Sequence, residues 1–134
     1  YYVCGPQGLM DSARAVLLRR GVTPLRIHEE RFATPQLLSS ELPTAPQTVE
    51  VEQRGRVQTI QVEPQETVLG AALREGMTLP FSCTMGGCGA CKAKLVSGEI
   101  VMPEPNCLTA EERAAGQVLL CVAHPRRGSR VILP

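Results

Sequence analysis

Residues 83–91 read CTMGGCGAC, which puts three cysteines and three glycines into nine positions. Cysteines this close together serve as metal ligands, as disulfide halves or as a redox pair, and each use implies a different protein. The chain holds six cysteines in 134 residues: Cys4, Cys83, Cys88, Cys91, Cys107 and Cys121. Secreted disulfide scaffolds are shorter and denser in cysteine than this. Structural zinc is usually held by two paired knuckles, and only Cys88-x2-Cys91 has knuckle spacing. Zinc also has no use for a glycine-rich loop.

A [2Fe-2S] cluster does use one. Its irons and sulfides carry negative charge beside four thiolates, and that charge calls for backbone N–H donors turned inward. Gly86, Gly87 and Gly89 let the loop wrap closely, with positive φ where needed and no Cβ in the way. The spacing Cys83-x4-Cys88-x2-Cys91, with Cys121 after 29 more residues, is that of plant-type [2Fe-2S] ligation. A structural zinc site stays the alternative reading. His28 and His124 do not lie in Cys-x-His pairs, so they read as solvated or packed histidines rather than Rieske ligands.

Composition bounds the rest. Apolar residues make up 43%, enough for a core, with no Trp and only 3% aromatics. Twelve glycines and eleven prolines imply short elements joined by many turns. A net charge of +1, with no basic patch or acidic block, points away from nucleic acid and from charge-steered partners. No apolar run is long enough to cross a bilayer and no secretory signal is visible, so a cytoplasmic chain without membrane contact is expected. The opening YYVCGPQG, without Met, reads as a piece of something longer.

Outward from the loop, residues 48–134 read as a small mixed sheet carrying a packed helix. TVEVEQ and VQTIQVE form a hairpin with its turn at Arg54-Gly55, and a parity slip between Val57 and Ile60 predicts a bulge or a two-faced strand. TVLGAALREG puts Val68, Leu69, Ala72 and Leu73 on one helix face, stopped by Gly76. CKAKLVSG, QVLLCV and SRVILP read as strands, and Thr109 with Glu112 forms a capping box. Residues 33–47 contain three prolines and no period, as a semi-stiff linker would. Residues 1–32 read as strand, helix, strand. Leu9, Met10, Ala13, Val16 and Leu17 share a helix face, Arg19, Arg20 and Gly21 close it, and Leu25 and Ile27 alternate along a second strand. A lone β-α-β piece cannot cover both faces of its strands, so this fits the last unit of a larger α/β domain.

Residues 48–134 resemble the plant-type ferredoxin domain, a β-grasp fold. The family pattern Cys-x-x-Gly-x-Cys-Gly-x-Cys is met by Cys83, Gly86, Cys88, Gly89 and Cys91. LPFSC before the loop, SGEIVM after it and NCLTAEERAAGQVLLCVAHP extend the likeness. The resemblance implies that Cys83, Cys88, Cys91 and Cys121 ligate the cluster and that Cys107 is a non-ligand, read as a buried, inert thiol with a redox sensor as the alternative. Residues 1–32 resemble the end of the ferredoxin-NADP reductase superfamily through YYVCGPQGLMDSARAVLLRRGV. That likeness makes them a βαβ remnant of a pyridine-nucleotide-binding domain. It implies that Cys4 and Gly5 lie near nicotinamide and flavin, and that Glu30 and Phe32 lie near the flavin ring.

The order of the two parts is similar to the reductase components of bacterial multicomponent oxygenases, of the phenylacetyl-CoA epoxidase and ketosteroid hydroxylase type. The implied α+β protein takes a hydride from NAD(P)H onto FAD and passes electrons singly through the cluster to an oxygenase. Its donor is the flavin domain of the same polypeptide. Alone, this chain is expected to carry electrons, with no catalytic residue of its own and no FAD or NAD(P)H site. The alternative is a stand-alone ferredoxin with an unrelated N-terminal extension.

Overall fold

The computed structural model describes residues 1–4, 7–30, 37 and 40–134, without the side chains of residues 4, 7, 8, 29 and 30. The described chain divides into two compact units, Tyr1–Ala33 and Thr34–Pro134.

In the first unit, strand β1 (Tyr2–Cys4) pairs in parallel with β2 (His28–Glu30), and helix α1 (Gln7–Arg19) connects them. Arg19 stands in the last helical turn, and Gly21 follows with φ +80, the left-handed stop that ends a helix. The expected second strand over Leu25 and Ile27 starts later. Pro24 fixes φ at the start of a 3-10 turn over Pro24–Arg26, which leaves Leu25 86% exposed and buries Ile27. The expected apolar face of α1 is mostly uncovered within this unit. Met10 is buried, but Leu9 and Val16 are exposed.

The second unit is a five-stranded mixed sheet in the order β4-β3-β7-β5-β6. Strands β3 (Gln47–Gln53) and β4 (Arg56–Val62) form the hairpin, with Arg54 and Gly55 both at positive φ as a two-residue twisted turn requires. Their register is continuous from Gln47↔Val62 to Gln53↔Arg56, so there is no bulge. The parity slip has a simpler cause: Ile60 and Val62 face the core, and Val57 is half exposed on the other face. Strand β5 (Lys92–Val101) runs antiparallel to both β6 (Gln117–Leu119) and β7 (His124–Ile132), and β7 lies parallel to β3.

Helix α2 (Val68–Arg74) is capped by Thr67, whose hydroxyl accepts the Gly70 N–H at 3.1 Å. It buries Val68, Leu69, Ala71 and Ala72 in the same core as Val49, Val51, Ile60 and Val131, while Leu73 stays exposed instead of joining them. Each larger apolar side chain buried there contributes about 1.5–3 kcal/mol. Helix α3 (Ala110–Ala114) carries the expected capping box: Thr109 Oγ1 accepts the Glu112 N–H, and the Glu112 carboxylate accepts the Thr109 N–H.

The tightest point of the sheet is Gly98 in β5. Its φ is +90, and a Cβ there would lie 2.3 Å from the Gly128 carbonyl oxygen and 2.5 Å from Ser129 Cα. Only glycine lets β7 pass that close, and the β5–β7 register shifts on either side of it. Among the described residues, no helix is long and apolar enough to cross a membrane.

Candidate metal centre

The loop of residues 80–91 has no helix or strand of its own and hangs between the end of α2 and the start of β5. Two ties fix its far side. The Cys107 N–H donates to the Gly86 carbonyl at 2.9 Å, and the Lys92 N–H donates to the Gly89 carbonyl at 3.1 Å. Cys91 immediately precedes β5, and the Leu120 N–H donates to its carbonyl at 3.1 Å. Cys121 therefore stands beside Cys91. Sequence pattern places Cys121 on a strand, but β6 ends at Leu119, and a turn closed by Val122 N–H to Leu119 C=O carries Cys121 out of the sheet. The first N–H groups of α2 hold this turn, Leu69 donating to the Leu120 carbonyl and Val68 to the Ala123 carbonyl, each at 2.9 Å.

The four thiols share one neighbourhood: Cys88 acts on the Cys83 thiol, Cys121 acts on the Cys91 thiol, and Cys83 acts on Cys121 in turn. Cys91 and Cys121 are buried, Cys83 is half-buried and Cys88 is exposed. Backbone donors point at the sulfurs: the Gly87 N–H lies 3.3 Å from Cys83 Sγ, and the Ala90 N–H lies 3.5 Å from Cys88 Sγ. The Met85 N–H, with those of Gly87 and Cys88, pulls the Cys83 thiol down to about 7. The neighbouring Cys121 thiol, with the backbone around residues 120 and 121, pulls Cys91 down to about 6. Cys121 is pushed up by the neighbouring Cys91 and by burial, against the pull of the Gly86 N–H. An array of N–H donors that lowers thiol pKa values is the environment that bound thiolates need.

Glycine matters unequally in this loop. Gly86 has φ +76, and a Cβ there would lie 3.3 Å from Val122 Cγ2 and 3.5 Å from Asn106 Cβ. Gly89 also has positive φ, but Gly87 does not, and its nearest neighbour would be Met85 Cγ at 4.0 Å. Thr84 takes a left-handed φ of 56 without being glycine.

Cys107 is exposed rather than buried, which corrects the sequence expectation. The cause is local. Asn106 Oδ1 accepts the Leu108 N–H at 3.0 Å, and this side-chain turn sends Leu108 inward, at 3% exposed, and Cys107 outward. Sequence reasoning also missed Lys92 and Asn106 as neighbours of the loop; neither has a signal beyond its place beside a cysteine. His124 is packed, with its Nδ1 2.9 Å from the Glu66 carbonyl oxygen. In the first unit, Cys4 and Glu30 are register partners on β1 and β2. Gly5 and Phe32 lie outside the described residues.

Four neighbouring thiols met by backbone N–H donors, on a loop where a Cβ at Gly86 would crowd Val122, fit a binuclear iron-sulfur group in chemistry. Comparison with known proteins agrees. The family described as "2Fe-2S iron-sulfur cluster binding domain" matches residues 51–126. This chain belongs to that family. As a member of it, the chain is a [2Fe-2S] protein. It is 38% identical over 135 residues to a component of the 1,2-phenylacetyl-CoA epoxidase of Escherichia coli (strain K12), covering 98% of this chain and 38% of that protein. It is 45% identical over 60 residues to "Ferredoxin, vegetative" of Trichormus variabilis, covering 45% of this chain and 61% of that protein. Among solved structures it resembles a phthalate dioxygenase reductase, with TM-score 0.62 and 26% identity over 98% of this chain and 38% of that one. The chain thus spans about two fifths of the oxygenase-system relatives it matches, 38% in both cases.

Proposed function

We propose that Cys83 and Cys88 hold one iron of the [2Fe-2S] cluster and Cys91 and Cys121 the other. The backbone carries this reading: the Leu120 N–H donates to the Cys91 carbonyl and so sets Cys121 beside Cys91, while the Gly87 and Ala90 N–H groups turn to the sulfurs of Cys83 and Cys88. When bound, the cluster supplies one-electron storage. The chain's own residues supply the four sulfur donors, the N–H groups of Met85, Gly86, Gly87, Cys88 and Ala90 that offset negative charge, and a buried side at Cys91 and Cys121.

The chain in this reading is the C-terminal, β-grasp electron-transfer part of an FAD- and NAD(P)H-dependent reductase that feeds an oxygenase. Residues 1–32 are then the end of its nucleotide-binding domain, residues 33–47 the linker and residues 48–134 the ferredoxin domain. Support comes from relatives whose match extends over nearly the whole chain, first section included; an unrelated N-terminal extension would not share that match. In the intact reductase Cys4, Gly5, Glu30 and Phe32 would lie near the nicotinamide and flavin; Cys4 and Glu30 are level with each other on paired strands.

The test is electron counting. The purified chain, reduced with dithionite and freed of excess reductant, is expected to give one electron per chain to ferricyanide and to oxidise no NADH unaided. A coloured protein that delivers two electrons per chain, or none, contradicts the proposal.

A further inference from the structure

Lys92 follows Cys91 at the start of β5, and its Nζ forms an ion pair with the Glu112 carboxylate. The side chain does not extend freely into water. A Cβ on Gly89 would lie 3.5 Å from Lys92 Cε and 3.9 Å from its Nζ, so the charged end of Lys92 rests on the loop between Cys88 and Cys91. Glu112 is itself held. Its Oε2 accepts the Thr109 N–H at 2.9 Å, and its own N–H donates to Thr109 Oγ1 at 3.2 Å. The capping box of α3 therefore fixes the carboxylate, and the carboxylate fixes the ammonium. An ion pair exposed to this degree adds little to stability. Its placement is what carries a consequence.

Taking up one electron adds one negative charge among the thiolates of this loop. A positive charge pinned beside them favours the reduced state, through the same physics by which net charge and hydrogen bonding set iron-sulfur potentials. We infer that Lys92 raises the midpoint potential of the cluster and that Glu112 is its positioning residue, holding the ammonium against the loop while its own charge offsets part of the effect. This rests on the cluster proposed above. The basic side chain of α3, Arg113, faces Glu104 at 3.5 Å and donates to the Leu108 carbonyl, so it is engaged elsewhere.

The experiment is a spectroelectrochemical titration of the 134-residue chain and four variants: Lys92→Met, Lys92→Arg, Glu112→Gln and the Lys92→Met, Glu112→Gln double variant. Lys92→Met is expected to weaken reduction about tenfold, a fall of 59 mV for one electron. Lys92→Arg keeps the charge and should restore most of the difference. In the Glu112→Gln background, Lys92→Met should shift the potential by less than half as much, because the ammonium is no longer held against the loop. If Lys92→Met fails to hold the cluster, Lys92→Gln supplies the same comparison. A coloured Lys92→Met protein at the parent potential overturns the role of Lys92. A full shift that persists without Glu112 overturns the positioning. A colourless, iron-free parent chain would instead overturn the cluster reading itself.

Discussion

Replacing Gly86 with Ala adds one methyl group where the loop passes closest to the turn that carries Cys121. The backbone there has φ +76, a left-handed conformation that costs an L-residue about 1–2 kcal/mol. The new Cβ would stand 3.3 Å from Val122 Cγ2, and Val122 is 5% exposed. That side chain must give by a few tenths of an ångström in a packed setting, so the total is about 2 kcal/mol. For a unit of about 100 residues, 2 kcal/mol lowers Tm by roughly 8–16 °C. Gly87→Ala is the internal control, since Gly87 has an ordinary φ and its Cβ would have nothing nearer than 4.0 Å. Its effect should stay within about 0.5 kcal/mol. Both variants would be melted at one scan rate while visible absorbance reports the cluster and far-ultraviolet circular dichroism reports the fold. Equal Tm values for the two variants would refute the reasoning, because they would show that neither the left-handed backbone nor the Val122 contact constrains the loop.

Three further outcomes are expected. Alanine at Cys83, Cys88, Cys91 or Cys121 should abolish stable cluster assembly while Cys107→Ala retains it, as read by visible absorbance and iron content; a colourless Cys107→Ala protein would contradict the ligand set. Gly98→Ala should give little or no folded protein, a loss beyond about 4 kcal/mol, because the obstructing atoms belong to the β7 backbone and cannot move aside; normal soluble yield and Tm would contradict it. Burial holds the His124 pKa below its ordinary value, so the folded state binds that proton less readily than the unfolded state. Its contribution is therefore complete above the unfolded value of about 6.5 and is lost as pH falls below it; His124→Asn should flatten that part of the stability profile, measured by urea unfolding across pH.

The sequence was most legible where chemistry is local. The spacing of Cys83, Cys88 and Cys91, the Arg54-Gly55 turn and the Thr109–Glu112 capping box each depend on residues within a few positions, and the structure contains the turn and the capping box. It was least legible where distant segments decide. Gly98 looks like any strand glycine until β7 passes over it. The departure of Cys121 from β6 follows from bonds to α2, some fifty residues earlier. The exposure of Cys107 follows from the Asn106 turn, which an apolar-pattern reading of the thiol overlooks. The tie between Lys92 and Glu112 joins residues 20 apart and has no periodic signature. On α1, helical period correctly marks a helix, but the period alone does not say that Leu9 and Val16 stay uncovered in this unit.

The most direct test of the central claim is the content of iron, acid-labile sulfide and zinc in the chain purified without air. Two thiol pairs on two irons require two irons and two sulfides per chain, with no stoichiometric zinc. One tightly held metal ion per chain without sulfide would contradict the account and return Cys83, Cys88, Cys91 and Cys121 to a mononuclear site.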